Sequence, residues 1–415
     1  MLWRFGYPFA KGRCLEAFDR LQVIGDPSIL IRFGLLVMED DPAAARVYFD
    51  RAEALGAVLP KQALAGRLQP APEAAPSPYR RTIAHAAQRN FPDPRGDGWH
   101  PAFDLAATST PPLEFWNIPN GVLSVDMAEP HPRFYVFDAE GVFIPELSSS
   151  GEPFIERIDR YPEAIALVDD WFSAFNVCHF LFDKWPRLEL FGSEVAGEAI
   201  RPLLFSSVDY YRDALAHSGY PQMAAPSSKR WSVSGTRLLL LSNHRRGEII
   251  HPAFSTAPWA RRFLRRHAQA ERPGVRRIYV SRDDAGSRLT VNEAEVQALM
   301  RARGFEVVRL AGMSFLEQKR LFSEAGWIAG VHGAGLANLA FAGPGARVLE
   351  IMPPLAGTFA YWLMAGALGQ DYWMFRADDA HLRRWPGASY DPSLGGRLIR
   401  VDVERLAAML DEFLA

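Results

Sequence analysis

Apolar and polar positions change their pattern along the chain at about residue 231. From there to about residue 400, short apolar runs alternate with amphipathic stretches such as NEAEVQALMRAR. Strands that alternate with helices of about ten to fifteen residues form right-handed βαβ units and a parallel sheet. We therefore predict a Rossmann-like domain over 231–400. Its predicted strands are TRLLLLSN, RRIYVSR, FEVVRL, GWIAGV and ARVLEIMP.

A helical extension and a linker are predicted at the N-terminus. Residues 1 to about 68 have a helical pattern, with Asp41 and Pro42 suited to a cap and a first helical position. The Pro- and Ala-rich stretch QPAPEAAPSPYRR follows and has little ability to form regular structure. We assign the extension and its linker to residues 1–81.

A separate α/β domain is predicted over 82–230, where short strand signals mix with turns. RFYVFDAEGVFIPEL predicts a hairpin because two apolar runs flank a polar turn. DYYRDALAHSGYPQM predicts a helix that ends at Gly219 and Pro221. The last segment, VDVERLAAMLDEFLA over 401–415, predicts an amphipathic helix that packs back on this N-terminal domain.

Composition excludes several classes of protein. Hydrophobic residues make up 48% and charged residues 23% of the chain, as in soluble globular proteins. A net charge of −2 provides no overall positive field, so no nucleic-acid partner is expected. Cys14 and Cys178 form no CxxC pair, which excludes a disulfide framework and a cysteine zinc site. Without the pattern of a signal peptide or a membrane span, a cytoplasmic protein is expected, with peripheral association at the inner membrane face left open.

Polar residues and glycines gather where the predicted strands of the C-terminal domain end. Ligands of open α/β sheets bind beyond the carboxyl ends of the strands, so these positions are candidates for a binding site. They follow the strands RRIYV, GWIAGV and ARVLEI. The candidates are Arg282, Arg288, Asn292, Glu293, His332, Gly333, Ala334, Gly335, Asn338 and Glu350.

The chemistry of these residues suits a nucleoside diphosphate. Gly333 and Gly335 let the backbone approach a phosphate, and the following short helix offers free N–H groups. Arg282 and Arg288 can neutralise a diphosphate through bidentate contacts. Glu350 can accept hydrogen bonds from the two hydroxyls of a ribose.

Structural explanations of the same residues remain open at this point. A Gly-x-Gly turn can be a packing turn, and Arg282 can form surface ion pairs with its acidic neighbours. Asn292 can cap a helix, with Glu295 completing a capping box. His332 can be a structural histidine, and Glu350 can simply end a strand. The occurrence of three such groups at strand ends in one domain favours a binding site.

The run from RRIYVSR to VLEIMPP, residues 276–354, resembles glycosyltransferase family 61. The shared pattern is a strand followed by SR, then R and NE, then HGAGL-x-N, then VLE-I-x-P. The resemblance implies a GT-B architecture, in which two Rossmann-like domains face a cleft and the C-terminal one binds a nucleotide sugar. It also implies transfer with inversion at the sugar.

An upstream stretch is similar to a second pattern of the family, N-x-x-H-x-x-x-D followed by P-R. In NVCHFLFDKWPR it places Asn176, His179 and Asp183 on one helical face, at i, i+3 and i+7. Inverting transfer needs a base for the acceptor hydroxyl, and His179 or Asp183 can supply it, with Asn176 on the acceptor side. Alternatively, His179 is a buried structural histidine, and Asp183 caps a second helix that Pro186 starts near Trp185.

The sequence therefore predicts a glycosyltransferase, a hexosyl- or pentosyltransferase, that moves a sugar from a nucleotide-sugar donor to a glycan or lipid-linked glycan acceptor. No Asp-x-Asp group follows a strand, so no cofactor and no divalent metal is expected, with Asp283 and Asp284 as the place to look otherwise. The excess of arginine over lysine and the Ala-rich linker indicate a bacterial chain. For a bacterial chain, the resemblance implies a surface or capsular polysaccharide as the product.

Two other functions compete with this prediction. One is an NAD-type oxidoreductase, but its fingerprint G-x-G-x-x-G belongs at the first βα turn, and here the third glycine position holds Asn338. The other is a non-catalytic protein that keeps the nucleotide-sugar site and has lost the base.

Overall fold

The computed structural model describes residues 78–83, 93–97, 113–127, 133–149, 152–168, 176–195, 197–205, 208–220, 224, 228–241, 258–268, 270–283, 289–353, 360–379 and 398–415. The chain divides into two compact units, Met1–Ser77 and Pro78–Ala415. The predicted N-terminal helices and linker residues 69–77 lie outside the described residues, and the last two linker residues begin β1. No helix of the described part is long and apolar enough to cross a membrane.

The second unit contains strands, α-helices and shorter helical turns. Its strands are β1 (Arg80–Ile83), β2 (Arg95–Gly96), β3 (Leu113–Pro119), β4 (Val122–Asp126), β5 (Arg133–Phe137), β6 (Phe143–Ile144), β7 (Ile158–Arg160), β8 (Ala164–Leu167), β9 (Ile200–Leu203), β10 (Arg230–Ser234), β11 (Arg237–Leu241), β12 (Arg276–Val280), β13 (Leu289–Thr290), β14 (Glu306–Val308), β15 (Ala325–Val331), β16 (Arg347–Met352), β17 (Asp371–Arg376), β18 (Asp378–Asp379) and β19 (Leu398–Arg400). Its α-helices are α1 (Val177–His179), α2 (Arg187–Glu194), α3 (Asp209–His217), α4 (Pro258–Ala268), α5 (Glu293–Ala302), α6 (Phe315–Ser323), α7 (Ala360–Leu368) and α8 (Val403–Leu414). A π-helical turn spans Phe180–Lys184, and 3₁₀ helices span Pro145–Leu147 and Ala334–Phe341.

The C-terminal half is built on a parallel six-stranded sheet in the order β14-β12-β15-β16-β17-β2. Helices α5, α6, the 3₁₀ helix 334–341 and α7 connect its five sequential strands. The predicted parallel, Rossmann-like arrangement is confirmed for this half. Since chain order runs 2-1-3-4-5 across these five strands, the connections change direction between β12 and β15. Open α/β sheets bind ligands at such a switch point.

Helix α8 packs on this C-terminal sheet. Leu406, Leu410 and Phe413 are buried in one cluster with Val296 of α5 and Trp373 of β17. Their spacing of three and four residues forms one apolar face, as the sequence pattern indicated. The structure differs from the expectation that this helix packs on the N-terminal domain, because its apolar face is buried against the C-terminal sheet and α5.

The N-terminal half contains two five-stranded sheets that share one core. Their orders are β1-β3-β11-β8-β9 and β6-β5-β4-β10-β7. Trp116 and Leu240 of the first sheet pack with Val125 and Trp231 of the second. The predicted hairpin is confirmed as the antiparallel pair β5 and β6, and the predicted helix is confirmed as α3.

The boundary predicted at residue 231 is wrong, because β10 and β11 belong to the N-terminal sheets. The run TRLLLLSN contains β11, which pairs with β3 and β8. Only Gly235 and Thr236 separate β10 from β11, so the chain passes directly from one sheet to the other. Gly235 lies so close to the Glu163 carbonyl oxygen that a Cβ atom there would overlap it.

The N-terminal half is α/β only in part. Strands β11, β8 and β9 are parallel, and β8 connects to β9 through the helical segment from α1 to α2. Phe191 of α2 packs on Phe115 of β3, with ring centroids 6.0 Å apart. The opposite face of this sheet carries the second sheet where a Rossmann-like domain would carry helices. The described residues between β3 and β5 contain no helix, so the alternation of helix and strand that gives parallel crossovers is not seen there, and β3 and β4 pair antiparallel with their neighbours.

Candidate active site

The carboxyl ends of β12 and β15 form the centre of the candidate site, at the switch point of the sheet. Arg282 follows β12 and Gly333 follows β15. A Cβ atom on Gly333 would overlap the guanidinium of Arg282. The backbone of Gly333 is extended, with φ 170°, so glycine is required here for space and not for conformation. The structure thus brings together two of the predicted donor-binding residues.

We expect Gly333→Ala to weaken nucleotide binding, because the new methyl group displaces the Arg282 guanidinium. Loss of one charge-assisted hydrogen bond corresponds to a Kd raised about tenfold or more. Titration calorimetry with the nucleotide that binds best measures this change.

Gly192→Ala is the matched control for this substitution. Gly192 lies inside α2, where a Cβ atom would meet only the Tyr220 hydroxyl at 3.4 Å. Alanine in a helix interior stabilises the fold slightly, so this variant should bind nucleotide as the parent does. Equal affinities of both variants would show that Arg282 does not contact the nucleotide.

The 3₁₀ helix Ala334–Phe341 begins directly after Gly333. Leu336 N–H donates to the Gly333 carbonyl at 3.0 Å, which closes the first turn. Ala334 and Gly335 are partly exposed, whereas the rest of the helix is buried. Backbone N–H groups at a helix start attract anions, and here the accessible ones belong to Ala334 and Gly335.

Asn338 was predicted to bind the donor, and the structure places its side chain inside the protein. Its side chain is 0% exposed. Its Oδ1 accepts from the Tyr210 hydroxyl at 2.8 Å, and its Nδ2 donates to Gln318 Oε1 at 2.9 Å and to the Gly335 carbonyl at 3.1 Å. Asn338 therefore joins α3 and α6 to the 3₁₀ helix and fixes the position of its first turn.

A second polar bridge joins α3 to α6. Lys319 Nζ donates to His217 Nε2 at 2.7 Å. Burial, and then the charge of Lys319, lower the pKa of His217, which favours the neutral imidazole that this bond requires. Helices α3 and α6 are thus held together beside the 3₁₀ helix.

Glu350 was predicted to bind a ribose, and the structure places its carboxylate inside the protein too. The residue is 0% exposed. One carboxylate oxygen accepts from the Tyr372 hydroxyl, and the other is hydrogen bonded to His332 Nδ1. Burial, and then the charge of Glu350, raise the pKa of Tyr372, so the phenol stays a donor. Both carboxylate oxygens are engaged inside the protein.

The role of Glu350 is to orient His332. With Nδ1 bound to the carboxylate, only Nε2 of His332 remains for another partner. Tyr361 of α7 packs against the His332 ring, with centroids 5.4 Å apart, and its hydroxyl donates to the Gly333 carbonyl at 2.7 Å. Neither Tyr361 nor Tyr372 is indicated by the sequence, because AYWLMAGAL and DYWMFR have the pattern of an ordinary apolar core.

The side chains of Asn292 and Glu293 also form hydrogen bonds to other groups of the protein. Asn292 is buried, and its side chain pairs with the backbone of Val401 through bonds of 2.8 and 3.1 Å. It starts α5 without a side-chain cap bond, so the predicted capping box with Glu295 is wrong. Glu293 accepts from the hydroxyls of Ser281 at 2.6 Å and Tyr279 at 3.0 Å. Glu293 supports the strand end that precedes Arg282, whereas Asn292 joins the start of α5 to Val401. Arg288 lies outside the described residues.

No metal was predicted, and Asp283 and Asp284 were the place to look if one were needed; the structure pairs Asp283 with an arginine. Arg309 Nε donates to its carboxylate at 2.7 Å, and this bond is the largest cause of its lowered pKa. The described residues contain no group of three side chains suited to a metal ion. Asp284 lies outside the described residues.

His179 and Asp183 form a second histidine–carboxylate pair. His179 Nδ1 lies 2.7 Å from Asp183 Oδ2, and both side chains are largely buried. The pairing is i, i+4 across the start of the π-helical turn Phe180–Lys184. Asp183 therefore does not cap the next helix, α2, which begins at Arg187. The side-chain Nε of Arg187 donates to the Asp183 carbonyl at 2.7 Å and holds the turn.

Asn176 starts this segment as a helix cap. Its Oδ1 accepts from Cys178 N–H at 3.0 Å and, more weakly, from His179 N–H at 3.5 Å. The oxygen of Asn176 is therefore used to position His179. The predicted contact of Asn176 with the acceptor stays a prediction, and it now concerns the side-chain NH2 group.

The two histidine pairs belong to one region of the fold. Helix α1, which contains His179, packs on the 3₁₀ helix Ala334–Phe341. Phe182, next to Asp183, packs edge-on against Tyr361 with centroids 6.3 Å apart, and Tyr361 also contacts His332. The site therefore combines a base candidate from the N-terminal half with an arginine, a helix start and a second histidine from the C-terminal half.

A comparison with known proteins finds a family match over the part of the chain that contains this site. Residues 177–349 match a family model described as Glycosyltransferase 61. The match begins at α1 and ends in β16, so it includes the His179–Asp183 pair, Arg282 and the loop from His332 to Asn338. None of the curated proteins compared matches the chain.

Proposed function

Since this chain belongs to glycosyltransferase family 61 through residues 177–349 and is a glycosyltransferase, we propose that it moves a sugar from a nucleotide-sugar donor to a hydroxyl of a glycan acceptor with inversion. The acceptor oxygen forms a bond to the anomeric carbon while the bond from that carbon to the diphosphate breaks. The acceptor proton passes to a base, and the diphosphate leaves with the electron pair. Two groups are therefore needed on opposite sides of the sugar.

His179 is proposed as the base. Its Nδ1 is bound to Asp183, which leaves Nε2 to take the acceptor proton and stabilises the imidazolium that forms. Asp183 is proposed as the positioning group, since one carboxylate oxygen is committed to His179. The single observation that carries this proposal is the buried His179–Asp183 pair on a segment packed against the loop that follows His332.

The leaving diphosphate is proposed to bind where β12 and β15 end. Arg282 supplies a cation, and the first N–H groups of the 3₁₀ helix supply donors. His332, oriented by Glu350, supplies a further polar group through Nε2. These groups can neutralise the diphosphate without a divalent cation, so we propose that no metal is required. Addition of excess EDTA should leave the rate unchanged.

The wider setting is also part of the proposal. The donor lies on the six-stranded sheet and the acceptor lies beside α1, as in a GT-B enzyme, but the N-terminal half differs from a Rossmann-like domain by its second sheet. The acceptor is a glycan or a lipid-linked glycan, and the product is a bacterial surface or capsular polysaccharide made in the cytoplasm. The resemblance to the family and the arginine-rich composition support this setting.

A thermal-shift panel of UDP, GDP, CDP, CMP, ADP and NAD tests the donor site. A ligand that binds only the folded state at a hundredfold excess over Kd adds about 2.7 kcal/mol to the unfolding free energy. We expect one nucleoside diphosphate to raise Tm in the parent and in Arg157→Ala, an exposed-arginine control, but much less in Arg282→Ala. A shift with NAD alone would support the oxidoreductase instead, and no shift with any nucleotide would contradict the donor site.

A further inference from the structure

Helix α4 presents a row of arginines on the surface of the protein. Its apolar face is buried through Ala260, Phe263 and Leu264, and packs on α2, α7 and the 3₁₀ helix 334–341. On the other face, Arg262 and Arg265 are exposed one helical turn apart. The helix is thus anchored by one side and offers cationic side chains on the other.

Positive charge is concentrated in this segment although the whole chain carries −2. The stretch from 261 to 277 contains seven arginines and one glutamate. Some of the arginines are used internally: Arg266 pairs with Glu189, and Arg276 pairs with Glu306 and Glu324. Arg262, Arg265 and Arg272 are exposed, and no carboxylate among the described residues forms an ion pair with them. These three arginines define the basic face.

The loop after α4 is rigidly held and ends in an exposed apolar side chain. Gly274 lies against the backbone of Glu324, and Gly343 lies against the carbonyl of Arg272, so closely that a Cβ atom on either glycine would overlap the neighbouring backbone. Packing on both sides fixes the loop. Val275, directly before β12, is nevertheless 88% exposed. An exposed apolar side chain a few residues from exposed arginines in the chain suits a surface that meets a membrane interface.

We propose that the basic face and Val275 dock this protein on a membrane surface rich in anionic phospholipid headgroups. The arginines bind the phosphates, and Val275 enters the headgroup region. A surface that binds nucleic acid is expected to expose aromatic side chains on which bases stack. Among the described residues, none of the exposed large hydrophobic side chains is aromatic. The docking does not depend on the proposed sugar transfer.

The attraction of each arginine to an anionic surface corresponds to about a fivefold gain in binding. Three arginines together give binding of the protein to vesicles that is readily measured at low ionic strength and that weakens when salt is added. The interaction is therefore peripheral and reversible.

Sedimentation of the full chain with vesicles of phosphatidylcholine, with and without phosphatidylglycerol, tests the proposal. We expect binding only when phosphatidylglycerol is present. Arg262→Glu combined with Arg265→Glu should lower the binding by at least about twenty-five-fold, from two arginines at about fivefold each. Val275→Ser should lower it by a smaller factor that persists at higher salt, because the lost contact is apolar.

Arg157→Glu combined with Arg160→Glu is the matched control. Both arginines are exposed, lie three residues apart like the tested pair, and bring the same change in charge on the other half of the unit. Equal weakening by both double variants would overturn the proposal in favour of a general charge effect. Binding to vesicles without phosphatidylglycerol would overturn it too. So would displacement of the protein from the vesicles by single-stranded DNA at the same salt concentration. Transfer to a soluble acceptor should be unchanged in the tested pair, which separates failure of docking from failure of the proposed activity.

Discussion

Replacement of His179 by alanine is expected to lower kcat for sugar transfer by about 100- to 10,000-fold, the usual contribution of a positioned base. The acceptor hydroxyl then has no group to take its proton as the bond to the sugar forms. The donor site is built from other residues, so the affinity for the nucleotide should stay within about twofold of the parent. Steady-state kinetics with a competent donor and acceptor, together with nucleotide titration, measure both quantities.

Asp183→Asn distinguishes a base from a structural histidine. The amide can still contact His179 but cannot stabilise the imidazolium, so kcat should fall while the unfolding free energy changes little. Unchanged turnover in His179→Ala would remove the histidine from the mechanism, and retained activity in both variants would return the pair to a purely structural role.

Glu350→Ala is expected to lower the unfolding free energy by about 3–5 kcal/mol, as when one partner of a buried polar network is removed. His332 and Tyr372 would both keep buried polar groups whose partner is gone. Activity should fall as well, because the orientation of His332 depends on the carboxylate. Chemical denaturation of the parent and the variant measures the stability change.

Two variants complete the Glu350 test. Glu412→Ala removes an exposed glutamate from α8 and should change stability by less than about 0.5 kcal/mol. Glu350→Gln keeps the size of the side chain and should lie between the parent and the alanine variant. A large loss of nucleotide affinity in Glu350→Ala with unchanged stability would contradict the inward role and restore a direct contact with the ribose.

Much of the C-terminal half could be predicted from the sequence because its elements are local. The apolar run before His332 and the amphipathic helices before it specify strand and helix through contacts a few residues apart. Parallel pairing then follows from the alternation, and it places Arg282 and Gly333 at the same edge of the sheet. Their close approach is the part of the candidate site that the sequence predicted and the structure contains.

The direction of polar side chains could not be predicted in the same way. Glu350 and Asn338 occupy positions that suit a ligand site, yet both are fully buried and bound to protein groups. A carboxylate at a strand end has the same local sequence whether it faces a cleft or the core. The difference depends on Tyr372 and Tyr210, residues 22 and 128 positions away.

The sequence by itself determined the alternating strands and helices of the C-terminal half, the glycine beside Arg282 and the helical segment that carries His179. Those features depend on periodicity, local sterics and capping, which act over a few residues. Only the tertiary structure decided that β11 joins the N-terminal sheet, that α8 covers the C-terminal one, and that Glu350 faces inward. Each of these depends on contact between surfaces far apart in the chain, where many apolar runs are equivalent and only the final packing distinguishes them.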